Sequence, residues 1–277
     1  MAPQNLAAII GIACCMTVLF FSIATGDEAR EQAVDRTQVP KAMGVADKNA
    51  CNHEFGVALD VGHTPERPGT LTARGRTEYE FNLHLAESIR SVLIQRGYKN
   101  VYVIKMIGGS ETLPQRDIKA NDLNANLFIS LHHDSVKSSY LKTWMVDGKQ
   151  QQYNDDFSGY SLFVSKKNPN WKHALTFAAL LSDELLARNL HFTLHHAAQE
   201  GRELLDKDRG IYRYDDLVVL KRFNGPAVLF EAAVVVNRDE ELVADTPERH
   251  KLIADAMFDA IEEFCRSQES TIIVPPT

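Results

Sequence analysis

Short apolar runs alternate with amphipathic segments through most of the chain, and this alternation limits the fold more than any other feature. The runs have the length of buried strands and cover Phe55–Val61, Val101–Met106, Leu127–Leu131, Tyr160–Ser165 and Ala227–Phe230. Apolar residues at helical spacing predict helices over Glu78–Arg96, Arg116–Asn126 and Trp171–Asn189, and a closing helix within Arg238–Cys265. This order indicates an α/β fold: a single domain with a mixed, mostly parallel central sheet and helices on both faces.

Three stretches fit the alternation less well. Residues 135–158 are polar and irregular, which is typical of a long functional or disordered loop. Leu217–Leu220 is a short apolar run that predicts a further strand. Residues 191–214 are rich in histidine and charge and allow no assignment.

The N-terminal residues favour export. Leu6–Thr25 is almost wholly apolar, and no charge precedes Asp27. Residues 1–24 therefore predict either a signal peptide cleaved after Ala24 or a single membrane anchor. Residues 25–50 predict a flexible linker, 51–266 the folded domain and 267–277 a tail. We expect an exported protein, in the periplasm of a Gram-negative bacterium, soluble or anchored by its first segment.

Net charge and cysteine content bear on the binding partners and on a candidate disulfide. The net charge of −7 argues against a nucleic-acid partner, which normally meets a basic surface. Two of the four cysteines lie in the leader, and Cys51 and Cys265 flank the folded domain. In an oxidising compartment these two are a candidate disulfide, with two half-buried thiols as the alternative.

Residues capable of binding metal follow three of the predicted strands. His63 follows the first strand after Gly62, His132 follows the third, and Glu231 follows the run that ends at Phe230. Ligands of open α/β sheets bind beyond the carboxyl ends of strands. Glu78 begins the first helix on its inward stripe. Each residue alone has an ordinary structural explanation, but two histidines and a carboxylate are the usual protein ligands of a hydrolytic zinc, and a further carboxylate suits a general base.

The segments around these residues resemble a known family. They read Leu59-Asp60-Val61-Gly62-His63, Glu78-Tyr79-Glu80-Phe81-Asn82-Leu83, Phe128-Ile129-Ser130-Leu131-His132 and Val228-Leu229-Phe230-Glu231, with Arg116, Asn121 and Asn237 at matching places. In order and approximate spacing, over roughly residues 55–264, they are similar to the zinc-dependent N-acetylmuramoyl-L-alanine amidases of the amidase type 3 family.

This resemblance implies both the site and the reaction. His63, Glu78 and His132 would bind Zn²⁺, and Glu231 would be the catalytic acid/base. Glu78 is preferred to Glu80 because the family glutamate lies four residues before the helix asparagine, here Asn82. The reaction would be hydrolysis of the amide bond between N-acetylmuramic acid and L-alanine in peptidoglycan, for wall remodelling or daughter-cell separation.

The chain also departs from the family pattern. Thr64-Pro65 replaces the usual glycines, His133 stands where a small residue is usual, and Ala232-Ala233 follows Glu231. Because side chains alternate along a strand, His133 faces away from His132, and we interpret it as structural.

Other residues are weaker candidates for the site. The substrate carries carboxylates, so one or two cations among Arg67, Arg74, Arg76 and Arg116 are expected to bind it. Asp60 is either a partner that orients an imidazole of the metal site or a turn acid.

The histidine-rich stretch contains a cluster with no assigned role. Its members are His195, His196, Glu200 and Glu203. Three interpretations stay open for these residues: a substrate-binding wall, a segment that covers the zinc, or a solvated polar helix face.

Two competing functions stay open. One is a non-catalytic peptidoglycan-binding or activator protein on an amidase scaffold, and the other is a zinc carboxypeptidase that acts on the stem peptide. The expected partners are peptidoglycan and a protein activator, with membrane contact only through an N-terminal anchor.

Overall fold

The computed structural model describes residues 54–109 and 113–269. The predicted leader and linker lie outside these residues, as does Cys51. Cys265 is buried near the end of the last helix, and its pairing with Cys51 stays a prediction.

A seven-stranded mixed sheet organises the domain. Its strands are β1 Val57–Val61, β2 Val101–Ile104, β3 Leu127–Asp134, β6 Ser161–Val164, β7 Arg202–Asp206, β8 Ile211–Tyr214 and β9 Ala227–Val234. They lie in the order β2-β1-β3-β9-β6-β8-β7. Strands β2, β1, β3 and β9 run parallel to one another, and β6 pairs antiparallel with β9. The predicted α/β class with a mostly parallel sheet is therefore confirmed.

Helices cover both faces of the sheet. They are α1 Glu78–Gln95, α2 Leu113–Asp122, α3 Trp171–Ala187, α4 Val218–Lys221, α5 Glu240–Ala244 and α6 Pro247–Glu269. One face packs on α1, α3 and α6 through residues such as Leu59, Ile89 and Phe177. The other packs on α2 and α4 through residues such as Phe128 and Leu220. Strand β1 is buried on both faces, which explains why its sequence is apolar at every position except Asp60.

The loop predicted over residues 135–158 is wrong in part, because it contains a hairpin. Strands β4 (Lys142–Val146) and β5 (Lys149–Tyr153) pair antiparallel outside the main sheet. Asp147 and Gly148 both have positive φ, as a two-residue primed turn requires. Trp144 anchors the hairpin by donating from Nε1 to the Ala73 carbonyl at 2.8 Å.

Two other predicted elements differ from the structure. Leu217–Leu220 is not a strand; it leads into α4, whose single turn packs on the sheet face that carries Phe128. A four-residue apolar run does not distinguish these outcomes, because both bury the same side chains. The closing helix is divided into α5 and α6, and α6 begins at Pro247, a favourable first position for a helix. It extends to Glu269, three residues beyond the predicted domain end.

None of the helices within the described residues has the combined length and hydropathy needed to cross a membrane.

Candidate active site

Parallel register brings the ends of three strands together. Val61 of β1 pairs with Leu131 of β3, and His132 pairs with Glu231 of β9. His63 follows β1 by two residues. The carboxyl edge of the sheet therefore presents both histidines and Glu231, as expected from the apolar runs.

Glu78 lies between the two histidines. Its Oε2 is 3.0 Å from Nε2 of His63, and its Oε1 is 2.9 Å from Nδ1 of His132. One donor atom from each residue lies within 4.8 Å of the others. The His63 and His132 side chains keep 32% and 18% of their exposure, whereas Glu78 keeps 6%. The group is thus anchored on a buried carboxylate and accessible from the histidine side.

Glycines allow this close approach. A Cβ at Gly62 would lie 2.5 Å from the His132 ring, and one at Gly69 would lie 2.3 Å from Oε2 of Glu78. Gly69 also has φ +81°, which favours glycine. His63 itself has φ +67°, an uncommon backbone conformation that its surroundings must stabilise.

Arg116 supplies that support from beneath the site. It is 1% exposed, and its guanidinium donates to the carbonyls of Val61 and His63. It also pairs with Asp60 at 2.6 Å, and Asp60 accepts from Ser130 at 2.7 Å. Asp60 therefore contacts no imidazole in these hydrogen bonds and acts on His63 through Arg116.

The two helix glutamates have different roles. Oε2 of Glu80 accepts from the backbone nitrogen of Thr77 at 3.0 Å, closing a capping box at the start of α1. Glu78, one position into the helix, faces inward, and Asn82 one turn later donates to it at 3.3 Å. The helix register thus separates a capping glutamate from the buried one.

Electrostatics favour an ionised Glu78. Burial opposes its ionisation, but hydrogen bonds from His132 and His63, together with their charges, outweigh burial and hold its pKa well below the usual range. An ionised carboxylate between two imidazoles is a donor set that fits a divalent metal.

Glu231 has the opposite electrostatic character. Burial, followed by the charges of Asp134 and Glu78, raises the pKa of its carboxyl well above the ordinary value, and Arg202 opposes this effect only in part. Its Oε2 is buried and has no hydrogen-bond partner within residues 54–109 and 113–269. A buried carboxyl with a raised pKa beside a metal-capable group suits proton transfer.

The His133 side chain lies outside this group, although the backbone nitrogen of His133 donates to Oε1 of Glu78 at 3.4 Å. Its Nδ1 is 2.8 Å from Oδ1 of Asn82, and its ring packs edge-on against Phe81. These contacts agree with its interpretation as a structural residue.

We expect His133 to make the protein acid-sensitive. Burial lowers its pKa from 6.5 to about 3, so the unfolded chain takes up a proton that the folded chain excludes. Stability should fall as pH drops below about 6.5, by about 2 kcal/mol between pH 7 and pH 5. Urea unfolding of metal-free protein at both pH values, compared with His133→Gln, measures this contribution. Equal acid sensitivity in the two proteins would contradict the assignment.

A pocket of about 340 Å³ opens beside His63 and His132. Its lining also includes Thr64, Arg67, Leu113, the segment Asp216–Val219 and Leu229. Within the described residues the Arg67 guanidinium makes no ion pair. The other candidate cations are engaged: Arg74 with Glu241, Arg76 with Asp245, and Arg116 with Asp60.

The histidine-rich cluster is divided by the structure. His195 and His196 are buried and face Asp134, whereas Glu200 and Glu203 are exposed. The solvated-face interpretation is therefore wrong for the two histidines. Neither belongs to the group formed by His63, Glu78 and His132. Sequence reasoning missed Asp134, although it lies on the same strand two residues after His132.

A mixed α/β sheet presents two histidines, a buried glutamate and a second carboxyl at one edge, and three of these residues could hold a metal ion. Residues 57–263 match the sequence profile of the N-acetylmuramoyl-L-alanine amidases. The chain belongs to this family.

Individual relatives are distant. The chain is 21% identical over 233 residues to the probable N-acetylmuramoyl-L-alanine amidase AmiB of Haemophilus influenzae, covering 78% of this chain and 54% of that protein. It therefore spans about half the length of that relative.

Among solved structures, the amidase Ami1 of Mycobacterium smegmatis superposes with a TM-score of 0.59 at 20% identity, covering 77% of this chain and 98% of that one. The CwlD amidase of Clostridioides difficile, solved with the GerS lipoprotein, gives 0.55 at 20% identity, covering 76% and 98%. These likenesses show a shared fold.

Proposed function

We propose that the protein is a zinc-dependent amidase that cleaves between N-acetylmuramic acid and L-alanine in peptidoglycan. The observation that carries this proposal is the grouping of His63, Glu78 and His132 within 4.8 Å, beside the open pocket and next to Glu231. Membership of the amidase family supports the choice of bond.

The three donors fit zinc. Two imidazoles and an ionised carboxylate are a usual set for a hydrolytic zinc site, which also keeps one position open to water or substrate. The exposure of the two histidines toward the pocket leaves room for that position. When bound, zinc would polarise the lactyl carbonyl and favour ionisation of water.

The chain's own residues complete the chemistry. Glu231 takes a proton from the attacking water and gives it to the departing amine of L-alanine, so that one carboxyl acts first as base and then as acid. Arg116 holds the backbone of His63, and Gly62 and Gly69 allow the donors to converge.

Arg67 is the cation we assign to the substrate. Arg67 lines the pocket together with His63 and His132. The peptide stem carries carboxylates, which a guanidinium can bind through bidentate hydrogen bonds. Arg74, Arg76 and Arg116 have other partners.

Replacing Arg67 with glutamine is expected to lower kcat/KM on peptidoglycan by about tenfold, mainly through KM, because a charge-assisted hydrogen bond is lost. Arg76→Gln is the matched control, since Arg76 is paired with Asp245 outside the pocket lining. Equal losses in the two variants would contradict this role for Arg67.

The products of purified peptidoglycan digestion test the reaction itself. An amidase releases whole stem peptides that begin with L-alanine and leaves the glycan strands intact. A carboxypeptidase would release single terminal amino acids, and a binding scaffold would retain peptidoglycan without releasing peptide.

Export is part of the proposal, since the substrate lies outside the cytoplasm. The apolar segment Leu6–Thr25 supports an exported protein, in the periplasm if the host is Gram-negative. A protein activator is also proposed; the solved complex of CwlD with GerS is an instance of an amidase with a protein partner.

A further inference from the structure

We propose that Asp134, His195 and His196 form a second cation site, for a zinc-type divalent ion, separate from the group at His63. This inference does not depend on the proposed amidase reaction. Asp134 ends β3, and the two histidines begin the short 3₁₀ helix His195–Ala198. Two imidazoles and one carboxylate are a donor set that zinc accepts.

Both imidazoles direct the same nitrogen toward one carboxylate oxygen. Nε2 of His196 lies 2.5 Å from Oδ2 of Asp134, and Nε2 of His195 lies 3.3 Å from it. In a tetrahedral zinc site with bonds of about 2 Å, neighbouring donors stand about 3.3 Å apart. The His195–Asp134 spacing already has that value, and the His196–Asp134 spacing must widen.

An unsatisfied atom points to a missing partner. Among the described residues, Nε2 of His195 is buried and makes no hydrogen bond of good geometry, although Oδ2 of Asp134 lies 3.3 Å away, and the side chain keeps 1% of its exposure. The outer nitrogen of the same ring, Nδ1, is held by the Thr193 hydroxyl at 2.8 Å. A ligand histidine is normally oriented by such an outer hydrogen bond while its inner nitrogen binds the metal.

Aromatic rings enclose the three residues. Phe157 lies 5.1 Å from the His195 ring, and Phe163 and Tyr212 lie 5.0 and 5.4 Å from the His196 ring. The side chains of His196 and Asp134 keep 1% and 10% of their exposure. A dry shell around a carboxylate and two imidazoles strengthens the attraction between these donors and a cation.

Arg202 limits the affinity of this site. It donates a short hydrogen bond to Nδ1 of His196, and the Gln199 amide lies 3.2 Å from the same nitrogen. Because arginine only donates, the metal-free His196 carries its proton on Nε2 and donates it to Asp134. Cation binding must move this proton to Nδ1 and displace Arg202, and the Gln199 amide must turn so that its oxygen, in place of its nitrogen, faces Nδ1 and accepts the proton. Removing Arg202 should therefore tighten binding.

Zinc counting on full-length protein tests the site. The first group is disabled by His132→Ala, the protein is stripped with chelator, and Zn²⁺ is titrated against a chromophoric competitor. We expect His132→Ala to retain about one tightly bound zinc. Adding His195→Gln and His196→Gln should abolish it. Adding His250→Gln instead should not, because His250 is a buried imidazole on α6 outside both groups.

The Arg202→Met substitution in the His132→Ala background is an independent test, because it leaves His195 and His196 in place. The measured quantity is again the affinity for Zn²⁺. We expect about tenfold tighter zinc binding, because a positive charge next to the site is removed. Absence of tight zinc with either residue at position 202 would overturn the proposal, as would zinc that survives loss of His195 and His196. Since no readout involves peptidoglycan, failure of the amidase proposal would leave these results unchanged.

Discussion

Replacing Glu231 with glutamine is expected to reduce kcat for peptidoglycan hydrolysis by about 10²–10⁴-fold, the usual contribution of a general acid–base group. The amide keeps the size of the side chain but cannot take a proton from water or return it to the leaving amine. The metal content should not change, because Glu231 lies outside the group formed by His63, Glu78 and His132. Release of stem peptides and zinc per chain, measured on the same preparations, check both statements.

Glu80→Gln is the matched control for this variant. Glu80 also lies near the site in sequence, but its carboxylate caps α1 and is exposed. We expect nearly normal activity from it. Full activity of Glu231→Gln, or loss of its zinc, would contradict the assignment of Glu231 as the acid/base.

Replacing Arg116 with methionine is expected to destabilise the protein by about 3–5 kcal/mol, the usual cost of removing one partner of a buried ion pair. Asp60 would stay buried, and of its hydrogen bonds within the described residues only the one from the Ser130 hydroxyl would remain. The carbonyls of Val61 and His63 would lose the hydrogen bonds that Arg116 donates. The free energy of unfolding in urea, measured without metal, gives the size of the effect.

The double variant Arg116→Met, Asp60→Asn separates charge burial from packing. It should recover part of the loss, because no uncompensated carboxylate remains in the core. If Arg116→Met lowered the free energy of unfolding by less than about 1 kcal/mol, the Arg116–Asp60 pair would not stabilise the site as argued.

Sequence alone was sufficient for the parts of the site that end strands. His132 and Glu231 follow apolar runs whose parallel pairing puts them side by side. Glu78 could be separated from Glu80 because the resemblance places the family glutamate four residues before the helix asparagine, here Asn82. Local patterns therefore predicted which residues meet at this edge of the sheet.

Long-range polar contacts could not be predicted in this way. Arg116 was one of four candidate cations for the substrate, yet it is 1% exposed and pairs with a carboxylate 56 residues away. Asp134 meets His196 across 62 residues. Hydrophobic periodicity carries no information on such pairings, because they depend on how separate loops pack over the sheet.

One of the wrongly predicted elements, the hairpin, was indicated by its local sequence. Asp147-Gly148 is a strong hairpin indicator, but the polar residues around it favoured a loop. The run Leu217–Leu220 carried no such signal, and its β-branched valines favour a strand although it leads into a helical turn.

The proposed amidase reaction requires a metal held by His63, Glu78 and His132. Its most direct test is digestion of purified peptidoglycan by full-length protein before chelation, after chelation and after zinc is restored. We predict free stem peptides in the first and third samples and none in the second, with His132→Ala inactive in all three. Stem release that survives complete removal of metal would contradict the account, as would zinc-loaded wild type that shortens stems without freeing them.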